Sequence, residues 1–165
     1  MIDLDYDEQR ALLGLPDVLP PSFPFPGRAR LYTGLERGIA WCIYLSPLSS
    51  SLNGYAHVPF GVFINPDRLD VHGGITYVGE GDETWVGFDT AHGGDWWDLD
   101  ELRARIGVHV HASGLLLNEF EHEMATKFPH MGRAWNVDRM IAECRRLAGQ
   151  IAAVRSEQYA RFGPA

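Results

Sequence analysis

Apolar positions along the chain fall into two kinds of run. Between Val137 and Val154 they recur at steps of three and four, at Val137, Met140, Ile141, Cys144, Leu147, Ala148, Ile151 and Val154. That period puts them on one stripe of a helix of about five turns. Asn136 stands in the N-cap position, and Asp138 sits where the helix dipole favours an acid. The opposite face carries Arg139, Glu143, Arg145, Arg146 and Arg155. Upstream, the runs are shorter and richer in β-branched and aromatic residues. Ile39 to Leu45 and Leu52 to Val58 read as strands, the second closed by Pro59. Gly74 to Val78 and Thr84 to Phe88 read as a hairpin across the acidic, glycine-rich turn from Gly79 to Glu83.

Punctuating residues complete the outline. Asp98 and Glu101 form a capping-box pattern that opens a short helix ending at Gly107, and Leu115 to Lys127 reads as a helix stopped before Pro129. Asp7 to Leu13 reads as a short helix ended by Gly14 and Pro16. The prolines between Pro20 and Gly27 forbid a helix, and Phe23 and Phe25 predict an extended arm packed on the body rather than a linker. Val108-His109-Val110-His111 alternates like a strand; a wet outer face explains its two imidazoles more simply than a metal does. The pieces predict an α+β fold, a small antiparallel sheet packed against the long C-terminal helix. We read residues 1–165 as a single domain: helix and proline-rich arm over 1–30, sheet region over 39–111, helical region over 115–161.

Composition narrows the partners. With 165 residues, 45% of them hydrophobic and five of them Trp, the chain can build one packed core. A formal net charge of -8 argues against a binder of duplex nucleic acid that works by broad phosphate neutralisation. A small anionic ligand stays open, because one pocket can be locally positive on an acidic protein. Cys42 and Cys144 read as free buried thiols in a reducing compartment. The start, Met1 to Asp5, lacks a signal peptide's basic segment, and no apolar run nears the roughly 20 residues that span a bilayer. A cytoplasmic protein with no membrane partner is the expectation.

The candidate chemistry lies in two glycine turns. His72-Gly73-Gly74 precedes the first strand of the predicted hairpin, and His92-Gly93-Gly94 follows the second. If those strands pair, the start of one lies beside the end of the other, and both turns reach the same edge of the sheet. The alternative is a pair of ordinary turns with idle imidazoles. In the shared-site reading, His72, Gly73, Gly74, Thr76, Asp89, Thr90, His92 and Asp95 are the candidate ligand-binding residues. Gly-Gly amides can cradle a phosphate or carboxylate, and His and Thr add hydrogen bonds. Trp96, Trp97 and Tyr77 could stack a base or sugar, and Arg28, Arg30 and Arg37 could neutralise a phosphate; core packing and solvation are the plainer readings.

Other chemistries compete at the same place. Two imidazoles with Asp89 or Asp95 could hold a divalent metal, but no HExxH or other established metal signature is present, and neither metal nor cofactor is expected. A His oriented by Asp89 or Asp95 could serve as a general acid or base. No Gly-x-Ser-x-Gly elbow points to an α/β-type hydrolase, and neither cysteine sits in a nucleophile's setting. Glu119, Glu121 and Glu123 read as exposed. Arg133-Ala134-Trp135-Asn136, before the long helix, reads as an interaction corner.

Three segments together carry a resemblance: Gly54-Tyr55-Ala56-His57-Val58-Pro59, Val71-His72-Gly73-Gly74-Ile75-Thr76-Tyr77, and Trp85-Val86-Gly87-Phe88-Asp89-Thr90-Ala91-His92-Gly93-Gly94-Asp95. They resemble a family of small uncharacterised proteins of tailed phages and prophages, with VHGGLTY and GFDxAHxGD motifs. The late segment from Glu143 to Gln150 resembles that family's E-x3-LAxQ ending. The likeness runs from about Leu52 to Ile151. The chain departs in having Gly61-Val62-Phe63-Ile64-Asn65-Pro66 where the family usually has a His-Pro segment. The family carries no settled activity, so the resemblance implies origin more than chemistry.

These readings converge on an expectation: a phage-derived counter-defence protein of the host cytoplasm that binds, and so sequesters, a small anionic ligand of the nucleotide type without turning it over. One alternative is a hydrolase that uses His72 or His92 with Asp89, with or without a metal. Another is an inhibitor that binds a host defence protein through its acidic surface. A homo-oligomer is expected if the long helix carries a second apolar strip; the sequence displays a single strip, the one from Val137 to Val154.

Overall fold

The computed structural model describes residues 23–25, 27–28, 30–46, 51–81, 84–106 and 112–163. Five strands, β1 (Tyr32–Glu36), β2 (Ile39–Leu45), β3 (Leu52–Val58), β4 (Tyr77–Val78) and β5 (Thr84–Phe88), form an antiparallel sheet in the order β1-β2-β3-β5-β4. A separate parallel pair joins β6 (Asp95–Trp97) to β7 (Arg133–Trp135). Three helices are described: α1 (Leu99–Ile106), α2 (Ala112–Lys127) and α3 (Val137–Phe162). The architecture is α+β, an antiparallel sheet with the long C-terminal helix across one face.

Side chains alternate between the two faces of the sheet, as the strand period of two requires. Ile39, Trp41, Ile43, Leu52, Ala56, Val58, Val86 and Phe88 face α3 and meet Met140, Cys144, Leu147, Ala148 and Ile151. Ala40, Cys42, Tyr44, Tyr55 and Trp85 face the other way and are covered by Phe23, Phe25, Leu35 and Tyr77. Burial on both sides explains why β2 is an unbroken apolar run. Cys42 and Cys144 are both buried and unpaired, one on each face of the sheet, and burial pushes both thiols well above their ordinary pKa.

The proline-rich arm packs as expected where it is described. Phe23 stacks on Trp85 with ring centroids 5.4 Å apart, and Phe25 meets the rings of Tyr44, Tyr55 and Tyr77. The predicted helix from Asp7 to Leu13 and the strand-like segment from Val108 to His111 lie outside the described residues.

Several expectations need correction. Helix α3 has 26 residues rather than five turns' worth. Its last part continues past the apolar stripe and ends at Gly163, whose amide donates to the Tyr159 carbonyl at 3.0 Å. Helix α2 begins at Ala112, three positions before the predicted start. Strand β4 is shorter than Gly74 to Val78, although the Thr76 amide still donates to the Gly87 carbonyl at 2.9 Å. Strand β1 went unpredicted because its turn carries no usual signal. Arg37 and Gly38, at φ 50° and 74°, make the two-residue hairpin turn for which Asn-Gly is the common sequence. Arg155 of α3 secures that turn by donating to the Arg37 carbonyl at 2.8 Å.

Polar side chains on one flank of α3 clamp the chain between Phe63 and His72. The Gln158 side-chain amide exchanges hydrogen bonds with the Phe63 backbone, and that of Gln150 does the same with Asp70. Glu143 accepts from the His72 amide at 2.7 Å. The first His-Gly-Gly turn is therefore held to the helix by its own backbone, which is what positions the candidate site.

Candidate functional site: a buried carboxylate between two imidazole turns

The two glycine turns adjoin. The rings of His72 and His92 stand edge to face with centroids 5.0 Å apart. Gly73 makes this approach feasible: a Cβ at that position would lie 2.1 Å from His92 Cε1, and its φ of +68° suits glycine. The second turn is tied down separately, because the Gly94 amide donates to Glu121 Oε2 at 2.7 Å. Glu121, read from sequence as exposed, thus has a structural partner.

Asp95 lies between the turns and is buried. Strand β6 begins at this residue, and its parallel register with β7 sets Asp95 opposite Arg133 and Trp97 opposite Trp135. Asp95 Oδ2 is 2.6 Å from His72 Nε2 and accepts from the His92 amide at 3.1 Å, while Asp95 Oδ1 accepts from Trp135 Nε1 at 3.0 Å. A buried carboxylate with this many partners is held in one orientation.

The tautomer of His72 follows from its neighbours. Arg133 Nη1 stands 2.6 Å from His72 Nδ1. A guanidinium can only donate, so Nδ1 accepts and the ring proton sits on Nε2, directed at Asp95. His92 is arranged otherwise. Its Nδ1 is buried and makes no hydrogen bond, with Asp95 Oδ2 at 3.5 Å and Asp89 Oδ1 at 3.6 Å. Of the two candidate acids, Asp95 and not Asp89 is the hydrogen-bond partner of His72.

A cleft of about 340 Å³ opens beside His72, lined by Asp70, His72, Gly73, Arg133, Arg139, Glu143 and Arg146 among others. Arg146 is committed: it binds Asp70 and both oxygens of Glu143. Burial alone would raise the Glu143 pKa, but the Arg146 guanidinium and the His72 amide outweigh it and hold the carboxyl below its ordinary range. Arg139 lies over the Trp135 ring, 5.0 Å from its centroid, and donates to the Ala134 carbonyl at 2.7 Å. Among the described residues, neither Arg133 nor Arg139 has a carboxylate partner.

The predicted site residues thus divide. His72, Gly73, Asp89, His92 and Asp95 come together at the junction of the turns. Thr90 is buried and structural: its hydroxyl donates to the Leu52 carbonyl at 2.8 Å and accepts from Trp97 Nε1 at 3.0 Å. Gly74 closes the first turn onto the Val71 carbonyl at 3.1 Å, and the side chain of Thr76 is exposed on the way to β4. Trp97 stacks on Trp135, Trp96 lies against His122, and Tyr77 belongs to the aromatic face, so none of the three is a free platform. Arg28 and Arg30 cover the Phe23–Phe25 arm, and Arg37 pairs with Glu36. The cations at the cleft are instead Arg133, Arg139 and Arg146. Sequence reading had set them on the helix's polar face and at an interaction corner. Glu143 and Gln150, seven apart on one helix face, show which face of α3 is turned to the segment around Asp70 and His72, but no comparable sequence signal marks Arg133 or Arg139.

Comparisons with known protein families, with curated proteins and with solved structures find no match. No helix among the described residues is long and apolar enough to cross a membrane.

Proposed function

We propose that this protein binds a small anionic ligand of the nucleotide type in the cleft beside His72, and that it holds the ligand without converting it. The observation that carries this reading is the pair Arg133 and Arg139, two guanidiniums facing one cleft with no carboxylate partner among the described residues, on a chain of net charge -8. Arginine is suited to the task because its planar fork matches phosphate and carboxylate oxygens. The cleft volume of about 340 Å³ lies at the small end of ligand sites, which run from roughly 300 to 1,000 Å³. That size fits one nucleotide better than a stretch of nucleic acid. The resemblance to small phage proteins supplies a use for such a binder, namely the removal of a nucleotide immune signal in the host cytoplasm.

Turnover is the second reading, and one arrangement favours it. Buried Asp95 holds His72 Nε2 at 2.6 Å and so fixes the ring at the cleft wall, an acid–imidazole pair of the kind used in general acid–base catalysis. Incubation with linear and cyclic nucleotides separates the two. Sequestration predicts that a bound nucleotide is recovered intact after denaturation. Recovery of a hydrolysed product would replace binding with catalysis, and no retention of any member of the panel would overturn the anion reading altogether.

A further inference from the structure

The junction of the two glycine turns holds more donor atoms than the anion cleft uses. One ring nitrogen each of His72 and His92 and a carboxylate oxygen of Asp95 all lie within 4.8 Å of one another. We propose that these three side chains form a binding site for a divalent transition-metal cation, with Asp89 available as a fourth ligand.

Three observations lead there. The first is His92 Nδ1, a buried nitrogen with no hydrogen bond, flanked at 3.5 and 3.6 Å by oxygens of Asp95 and Asp89. A buried polar atom left unsatisfied is costly, and a cation between nitrogen and carboxylates removes the deficit. The second is the outer support. Trp135 Nε1 and the His92 amide fix the Asp95 carboxylate, and the Gly94 amide bound to Glu121 fixes the second turn. Metal ligands are held in this way by partners of their own. The third is the donor set. Two imidazoles and a carboxylate suit zinc or a neighbouring first-row ion and leave positions open.

The present geometry accommodates the ion with little movement. His72 Nε2 and Asp95 Oδ2, now 2.6 Å apart, share a hydrogen bond. Around a tetrahedral ion with bonds of about 2.0–2.2 Å they would separate by roughly 0.7–1.0 Å more. His72 is half-buried, and rotation of its ring supplies that distance.

Metal binding also has a consequence for the cleft, which rests on the anion reading above. A metal on Nε2 displaces the neutral ring's single proton to Nδ1. Arg133, which can only donate, then loses its acceptor and is released toward the cleft. Metal and anion therefore favour each other's binding.

The test uses the full chain and Co2+ as a spectroscopic stand-in for zinc, with circular dichroism to check that each variant is folded. One equivalent should bind with visible ligand-field bands of a nitrogen and oxygen site. His92→Ala should weaken binding at least about tenfold, while His122→Ala, a histidine packed on Trp96 outside the cluster, should leave it unchanged. Absence of the bands in the wild-type chain, or equal binding by folded His92→Ala, overturns the proposal. Phosphate and nucleotide titrations run without metal and again with Co2+ keep the two readings apart. Loss of anion binding in both sets defeats the function proposed above and leaves the metal site standing on its own bands. Anion affinity unchanged by a bound metal defeats the release of Arg133.

Discussion

Arg133 Nη1 stands 2.6 Å from His72 Nδ1, so a cation faces a neutral ring nitrogen where a carboxylate would be the ordinary partner. The nearest acid of the cluster, Asp95, is turned inward and spent on His72 Nε2 and Trp135 Nε1. The Arg133 charge is thus left to whatever enters the cleft. This relationship depends on register: β6 and β7 pair Asp95 with Arg133, and the clamps from α3 bring His72 between them.

The approach of the two turns can be measured through Gly73. Gly73→Ala forces a side chain into φ +68° and sets its Cβ against the His92 ring, whereas Gly74→Ala, at φ +82°, meets open space. Gly74→Ala should cost about 1–2 kcal/mol for the backbone conformation alone. Gly73→Ala should cost roughly 2–4 kcal/mol, since overpacking adds to the same strain. Urea denaturation of the two variants checks the difference; equal losses would mean that the turns do not press together.

Trp135 holds the carboxylate that binds the His72 ring and the His92 amide. Trp135→Phe keeps a ring against Trp97 but removes the Nε1 donor to Asp95 Oδ1. A buried acceptor loses a partner, at a cost of about 1–3 kcal/mol. Thermal unfolding should fall by several degrees, at roughly 2–4 °C per kcal/mol for a chain of this size. An unchanged transition would show that water or another donor satisfies Asp95.

His57 gives the fold a pH dependence separate from the site. It is buried on the aromatic face beside Trp85, and burial lowers its pKa from 6.5 to about 4. The unfolded chain then binds a proton that the folded chain refuses, so stability is complete above the unfolded value and falls as pH drops toward about 4. The residue's share is roughly 3 kcal/mol by the usual conversion of pKa to free energy. His57→Gln should lose less stability than the wild type across that window. Parallel pH curves for the two chains would contradict the assignment.

Legibility from sequence followed the length of the signal. The α3 stripe, the β2 and β3 runs and the Asn136 cap were readable because each repeats a period or places a capping side chain; Asn136 does accept from the Arg139 amide at 2.8 Å. The meeting of His72 and His92 was readable through one inference, that the flanking strands pair antiparallel, and β4 and β5 do. What escaped was short or distant. Strands β6 and β7 have three residues each, too few for alternation to register. Their pairing spans 38 positions, and it alone brings Arg133 and Trp135 to Asp95. Thr90 was read as a ligand group because it sits in the motif, yet its hydroxyl serves Leu52 and Trp97. Composition and spacing cannot tell a threonine that caps a strand end from one that faces a ligand.

Arg133 and Arg139, without a carboxylate partner among the described residues, should together hold an anion in the cleft. Calorimetric titration with inorganic phosphate and with nucleotides should be run on the wild-type chain, on the double variant Arg133→Ala with Arg139→Ala, and on Arg103→Ala, an exposed arginine of α1 paired with Asp100. Each charge-assisted hydrogen bond is worth about 1.5–3 kcal/mol, so the double variant should bind at least roughly a hundredfold more weakly, and Arg103→Ala should match the wild type. Undiminished binding by a folded double variant would contradict the claim.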